Sequence, residues 1–194
     1  MKQLLLASAS PRRRELLAQL GLGSVGFSFE ILATDIDETR HQGEAAATYV
    51  NRLAREKAAA GHSRWQRHES IALGADTIVV VDDEILGKPV DTASASAMLQ
   101  RLSGRSHKVM TAVAVTDGNH CESVLVATDV TFCSLNDAQI TAYVATGEPM
   151  DKAGAYGIQG LGGSFISRIS GSYSAVVGLP LVETRILLQK MQLL

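Results

Sequence analysis

Apolar positions along this chain follow two alternating rhythms. Short runs or every-other-residue patterns give way to stretches in which apolar residues recur every three to four positions. Residues 4–7 (Leu-Leu-Leu-Ala) read as a short buried strand, and residues 15–20 carry leucines at helical spacing. Ser10 stands where that helix needs an N-cap, Pro11 takes its first position, and Gly21 closes it. A second strand is expected over 27–33. A helix is expected over 44–60, with Val50, Leu53, Ala54, Lys57 and Ala58 on one face and Gly61 as its stop. Residues 62–70 are polar and read as a loop in which Trp65 is a local packing anchor. Residues 71–81 form the most buried-looking strand; Asp82-Asp83 turn the chain and 84–87 return as a hairpin arm. A helix over 92–102 follows, with Ala97, Met98 and Leu102 inward. Alternating strands over 107–115 and 123–132 are joined by the turn Asp117-Gly118-Asn119. Asn136 caps a helix over 137–145, and a last helix runs from 181 to about 191.

Composition narrows the class. The 194 residues suffice for one domain with a sizeable core, and no linker or repeat divides them, so 1–194 is read as a single domain. A 46% hydrophobic and 20% charged share is that of a globular chain, and a net charge of −2 argues against a general nucleic-acid binder or a membrane-surface protein. Cys121 and Cys133 lack metal spacing, which favours a reducing compartment. The first apolar run is shorter than the roughly 7–15 residues of a secretory signal, and nothing approaches the roughly 18–20 of a membrane span. The cytoplasm is the expected location.

The chemistry concentrates at a few points. Ser8-Ala9-Ser10-Pro11-Arg12-Arg13-Arg14 joins strand to helix with two hydroxyls, backbone N–H groups and the positive end of a helix dipole. Positive charge in a first turn costs about 0.3–1 kcal/mol per residue. Three arginines there oppose the helix unless an anion arrives, phosphate above all. Asp35, Asp37 and Glu38 are either a plain polar loop or carboxylates that bind a divalent cation or position a basic residue. Lys57 lies on or beside an apolar stripe, where it either snorkels to solvent or points its amine into a site. Asp76 interrupts an apolar strand two residues after Gly74, and a buried acid is costly unless paired, hydrogen-bonded or metal-bound. Lys88, held extended by Pro89, is a candidate phosphate clamp. His107 reads as structural. The stretch 151–163 holds five glycines. It lacks the spacing and strand–helix context of a dinucleotide fingerprint, and the chain has no P-loop. It reads as backbone that packs close to a flat ligand, with Gln159 offering an amide to a base edge.

Several of these motifs, in this order, resemble the Maf family of nucleotide pyrophosphatases. They are Ser8 to Leu17, Arg55-Glu56-Lys57-Ala58, Gly74-Ala75-Asp76-Thr77, Lys88-Pro89, Asp151 to Gly162 and Gly178-Leu179-Pro180. The resemblance is closest to the bacterial branch acting on dTTP and UTP, with Arg12, Thr77 and Gln159 at the positions that select the base. It implies a mixed α/β fold like that of inosine triphosphate pyrophosphatases: a long bent sheet flanked by helices, two lobes and a central cleft. It implies a homodimer, a divalent cation such as Mg²⁺ or Mn²⁺, hydrolysis between the α and β phosphates, clearance of non-standard nucleotides and a link to cell division. In that scheme Ser8, Ser10, Arg13, Lys57 and Lys88 hold phosphate, and Asp76 resembles the general base. Glu38 joins Asp76 on the metal side, and the sequence leaves base and ligand undivided between the two. An ordinary aspartate is a weak base at neutral pH, so such a base needs burial or a metal-bound water.

Overall fold

The computed structural model describes residues 2–22, 26–65 and 67–194. Among them seven strands form a mixed sheet: β1 (Gln3–Leu6), β2 (Phe29–Ile31), β3 (Ser70–Val81), β4 (Glu84–Leu86), β5 (Ser106–Thr116), β6 (Cys121–Phe132) and β7 (Ile166–Ser170). Among the described residues six α-helices accompany them: α1 (Pro11–Gln19), α2 (Ala46–Trp65), α3 (Thr92–Leu102), α4 (Asp137–Ala145), α5 (Tyr173–Val177) and α6 (Leu181–Lys190). The strand order is β2-β1-β3-β5-β6-β7, with β4 paired to β3. β1 runs parallel to both neighbours, pairing Leu5 with Glu30 and with Ala72; β3–β4 and β6–β7 are antiparallel.

The chain divides into two compact units. The first comprises Met1–Asp76, Thr111–Val126 and Gly178–Leu194; the second comprises Thr77–Met110 and Ala127–Val177. In the first unit Leu4, Leu5 and Leu6 of β1, Leu17 of α1, Val50, Leu53 and Ala58 of α2, and Leu188 of α6 are all buried. In the second, Leu99 and Leu102 of α3, Val109, Val130, Phe132, Tyr143 and Phe165 make one cluster.

Four expectations need correction. The strand over 27–33 is only Phe29–Ile31, because β1 offers only four residues for it to pair with. Gly61 does not end α2. It sits inside the helix, facing β1, where an added Cβ would come within 2.6 Å of the Ala7 methyl. The helix therefore continues into the supposed loop as far as Trp65, whose indole N–H donates to Glu30 Oε2 at 3.0 Å. In α3 the buried stripe is Ala95, Leu99 and Leu102; Ala97 is exposed and Met98 only partly buried.

Candidate active site

The site is built on the end of β1 and the middle of β3. Parallel pairing extends to Ala7, whose N–H donates to Leu73 O at 2.8 Å, so Ser8 leaves the sheet beside the Gly74–Asp76 segment. Ser10 caps α1 as the sequence predicts: its Oγ accepts the Arg13 N–H at 3.4 Å, with Pro11 in the first turn. Ser8 Oγ accepts the Ser10 N–H at 3.2 Å and Arg13 Nη1 at 3.4 Å. Arg13 Nε donates to Gly178 O at 3.0 Å, which ties the turn to the start of the chain's last segment. Burial holds the Arg13 guanidinium below its usual pKa. The charge of Asp76 pulls it back up, Arg12 pushes it down, and Glu38 raises it. Arg13 thus lies in the field of both carboxylates.

Gly74 explains how a lysine reaches Asp76. A side chain at this position would run into the Ala54 carbonyl and the Ala58 amide of α2. With none, helix and strand close together, and Lys57 comes down over Asp76. Lys57 is buried, and its Nζ lies 2.7 Å from Asp76 Oδ1 and 2.7 Å from Glu38 Oε1. It does not snorkel; it is the common partner of two carboxylates. Asp76 is also buried, at 8% exposure, and the ion pair answers the cost of an acid inside a strand.

Two of the residues here, Glu38 and Asp76, are of the donor type a small hard divalent cation takes. Glu38 and Asp76 reach the same Lys57 ammonium from separate elements. One or two carboxylates with substrate phosphates is how magnesium-like ions are usually held. Among the described residues no group of three or more His, Cys, Asp or Glu gathers into a cage made by protein alone.

The match to the Maf-like protein family covers residues 3–191. This chain belongs to the Maf family. Among Maf relatives it is 60% identical over 188 residues to the dTTP/UTP pyrophosphatase of Shewanella oneidensis, covering 96% of this chain and 97% of the relative. It is 56% identical over 195 residues to the dTTP/UTP pyrophosphatase of Pseudoalteromonas atlantica, covering 98% and 97%. A solved nucleoside-triphosphatase / dITP/XTP pyrophosphatase from Mycobacterium abscessus aligns over 99% of this chain and 95% of that one, at 14% identity and a TM-score of 0.45, too slight a likeness to carry an argument.

Of the residues singled out in this Maf protein's sequence, the first unit brings together Ser8, Ser10, Arg13, Glu38, Lys57 and Asp76. Arg12 is half-buried in the first turn of α1 and Arg14 is exposed. Thr77, Lys88 and Gln159 belong to the second unit: Thr77 is half-buried, Lys88 and Gln159 are exposed, and Lys88 pairs with no described carboxylate. His107 is structural. It is buried against Phe132 and Tyr156, and its Nε2 meets Tyr156 OH at 2.7 Å.

Two supporting networks were missed. In the first unit Glu44, Tyr49 and Arg52 hold the loop that carries Glu38. In the second, Glu148 accepts the N–H groups of Leu161 and Gly162 at 2.9 and 3.1 Å and the Tyr143 hydroxyl at 2.8 Å, holding the glycine-rich stretch. Burial raises the Glu148 carboxyl, but those backbone and phenol donors outweigh it and its pKa lies below the ordinary value. The only sequence signal for the first network is the spacing of Tyr49, Arg52 and Glu56 on one helix face.

Proposed function

We propose that this protein hydrolyses dTTP and UTP to the nucleoside monophosphate and pyrophosphate. The observation that carries the reading is the Lys57 ammonium held between Asp76 and Glu38, in the electrostatic field of the Arg13 turn. The names of its full-length relatives add the substrate.

Water attacks the α-phosphorus. A bond forms from the water oxygen to phosphorus, the bond to the bridging oxygen breaks, and pyrophosphate leaves. Lys57 engages Asp76 Oδ1 and fixes the carboxylate, so Oδ2 takes the water's proton. Arg13, with Ser8 and Ser10, binds phosphate oxygens at the end of α1, each charge-assisted hydrogen bond contributing roughly 1.5–3 kcal/mol. Lys57 has three N–H donors, gives one to Asp76 and pairs with Glu38 by charge, so it keeps donor capacity for phosphate. Glu38 and Asp76 would hold Mg²⁺ or Mn²⁺, which when bound neutralises phosphate charge and acidifies water. Lys88 adds a phosphate contact, and Arg12, Thr77 and Gln159 select the base. The same reading carries the family's homodimer, a cytoplasmic setting and removal of non-standard nucleotides.

The purified protein, given each nucleoside triphosphate with Mg²⁺ or Mn²⁺, is expected to release pyrophosphate fastest from dTTP and UTP. Asp76→Asn should lower kcat by at least about 10²-fold. Preference for a purine triphosphate, release of orthophosphate instead of pyrophosphate, or an active Asp76→Asn variant refutes the proposal.

A further inference from the structure

Glu38 is the one member of the carboxylate pair that is mostly exposed: its side chain is 53% accessible, against 11% for Asp76. It also stands on backbone with no regular structure, since residues 32–41 belong to neither strand nor helix. Asp76 is fixed by the sheet. Glu38 has no such support, yet its Oε1 sits 2.7 Å from Lys57 Nζ.

The support comes from α2, through the backbone on either side of the Glu38 side chain. Tyr49 OH donates to the carbonyl of Glu38 itself at 2.8 Å. Arg52 Nη2 donates to the next carbonyl, Thr39 O, at 3.0 Å. Arg52 is in turn held on three sides. Its Nε and Nη2 meet the two oxygens of Glu44 at 2.8 and 2.9 Å, its Nη1 meets Glu56 Oε2 at 3.1 Å, and its guanidinium carbon lies 5.5 Å from the centre of the Tyr49 ring. The far end of the loop is tied to the same acid, because the His41 N–H donates to Glu44 Oε2 at 3.1 Å. Arg52, Tyr49 and Lys57 are on one helix, at spacings of three and five residues, so the element that delivers the ammonium also delivers its second carboxylate.

We propose that Arg52, backed by Glu44 and working beside Tyr49, is a positioning residue for hydrolysis: it fixes the Thr39 carbonyl while Tyr49 fixes that of Glu38, and the two together place Glu38 against Lys57 on an otherwise irregular loop. The planar guanidinium is what this needs. It makes a two-pronged bond to one carboxylate, a third contact to a second, and still donates to a backbone oxygen; a lysine ammonium has neither the reach nor the fork. The inference rests on the pyrophosphatase reading and extends it to residues that touch neither substrate nor reacting atoms.

The test is a double-mutant cycle on dTTP hydrolysis, with kcat and KM measured separately. Arg52→Met is expected to lower kcat by about ten- to a hundredfold while KM moves less than about threefold. In the Glu38→Gln background the same change should cost less than about threefold, because the group it positions has already been disabled. Tyr49→Phe should act in the same direction more weakly, and Arg52→Lys should recover only part of the loss. Should Arg52→Met fold poorly, Tyr49→Phe and Arg52→Lys complete the cycle alone. An equal fall in both backgrounds, or a fall confined to melting temperature with kcat intact, overturns the proposal. A wild type that does not hydrolyse dTTP would instead refute the function on which it is built.

Discussion

Lys57 settles most of the local chemistry. Buried, it joins an acid from the sheet to an acid from a loop, and each depends on it differently. Asp76 lies inside the protein and has Lys57 as its counter-charge, whereas Glu38 faces water. Removing the ammonium alone therefore leaves a buried carboxylate without the counter-charge that touches it. Lys57→Met is expected to destabilise the fold by about 3 kcal/mol, and adding Asp76→Asn to return at least half of that, read as denaturant midpoints. A pair that merely decorated the surface would give changes below about 1 kcal/mol in both cases. At this scale the sequence was informative because the rules are short-ranged. A Ser-Pro step caps a helix, and an acid in an apolar strand must find a partner. The partner's identity was harder to read, since an apolar helix stripe can carry a lysine that snorkels as well as one that turns inward.

At the scale of elements, one close approach decides whether Lys57 and Asp76 meet. α2 lies against β3 at Gly74, where a methyl group would strike the Ala54 carbonyl and the Ala58 amide. Gly74→Ala is expected to cost about 1–3 kcal/mol by pushing the helix outward, and to lower kcat because Lys57 moves with it. Gly87→Ala, at a glycine with open space around it, should stay within about 0.5 kcal/mol in the same denaturation series. The same kind of contact explains the misread end of α2. Taken alone, Gly61 looks like a helix stop. Packed against Ala7 it is the residue that lets the helix pass, and packing outweighs the roughly 1 kcal/mol that glycine costs inside a helix. The strap on Glu38 was illegible for a different reason. Two of its acceptors are backbone carbonyls in an irregular loop, and any residue type supplies a carbonyl.

For the molecule as a whole, protonation and stability are linked through His107. Burial holds its pKa at about 4, against the usual 6.5. The unfolded chain binds a proton as pH falls below 6.5, while the folded chain refuses it until about 4. Stability is thus full above that upper value and declines through the window, by up to ~3 kcal/mol. Carboxyls with lowered pKa, such as Glu44 at about 2 under the hydrogen bonds of Arg52, lose their contribution only at lower pH as they protonate. Denaturation midpoints between pH 7 and 4 should show the decline, and His107→Gln should flatten it. The fold's division into two units was expected from family resemblance alone; hydropathy spacing carries no information on which segments, far apart in the chain, gather together. That gathering bears on the order in which the protein is made. Arg13, near the beginning, is held by the carbonyl of Gly178, 165 positions later. A nascent chain therefore cannot complete the turn around Arg13 until Gly178 has been made, because the carbonyl that accepts the Arg13 Nε–H does not exist before then.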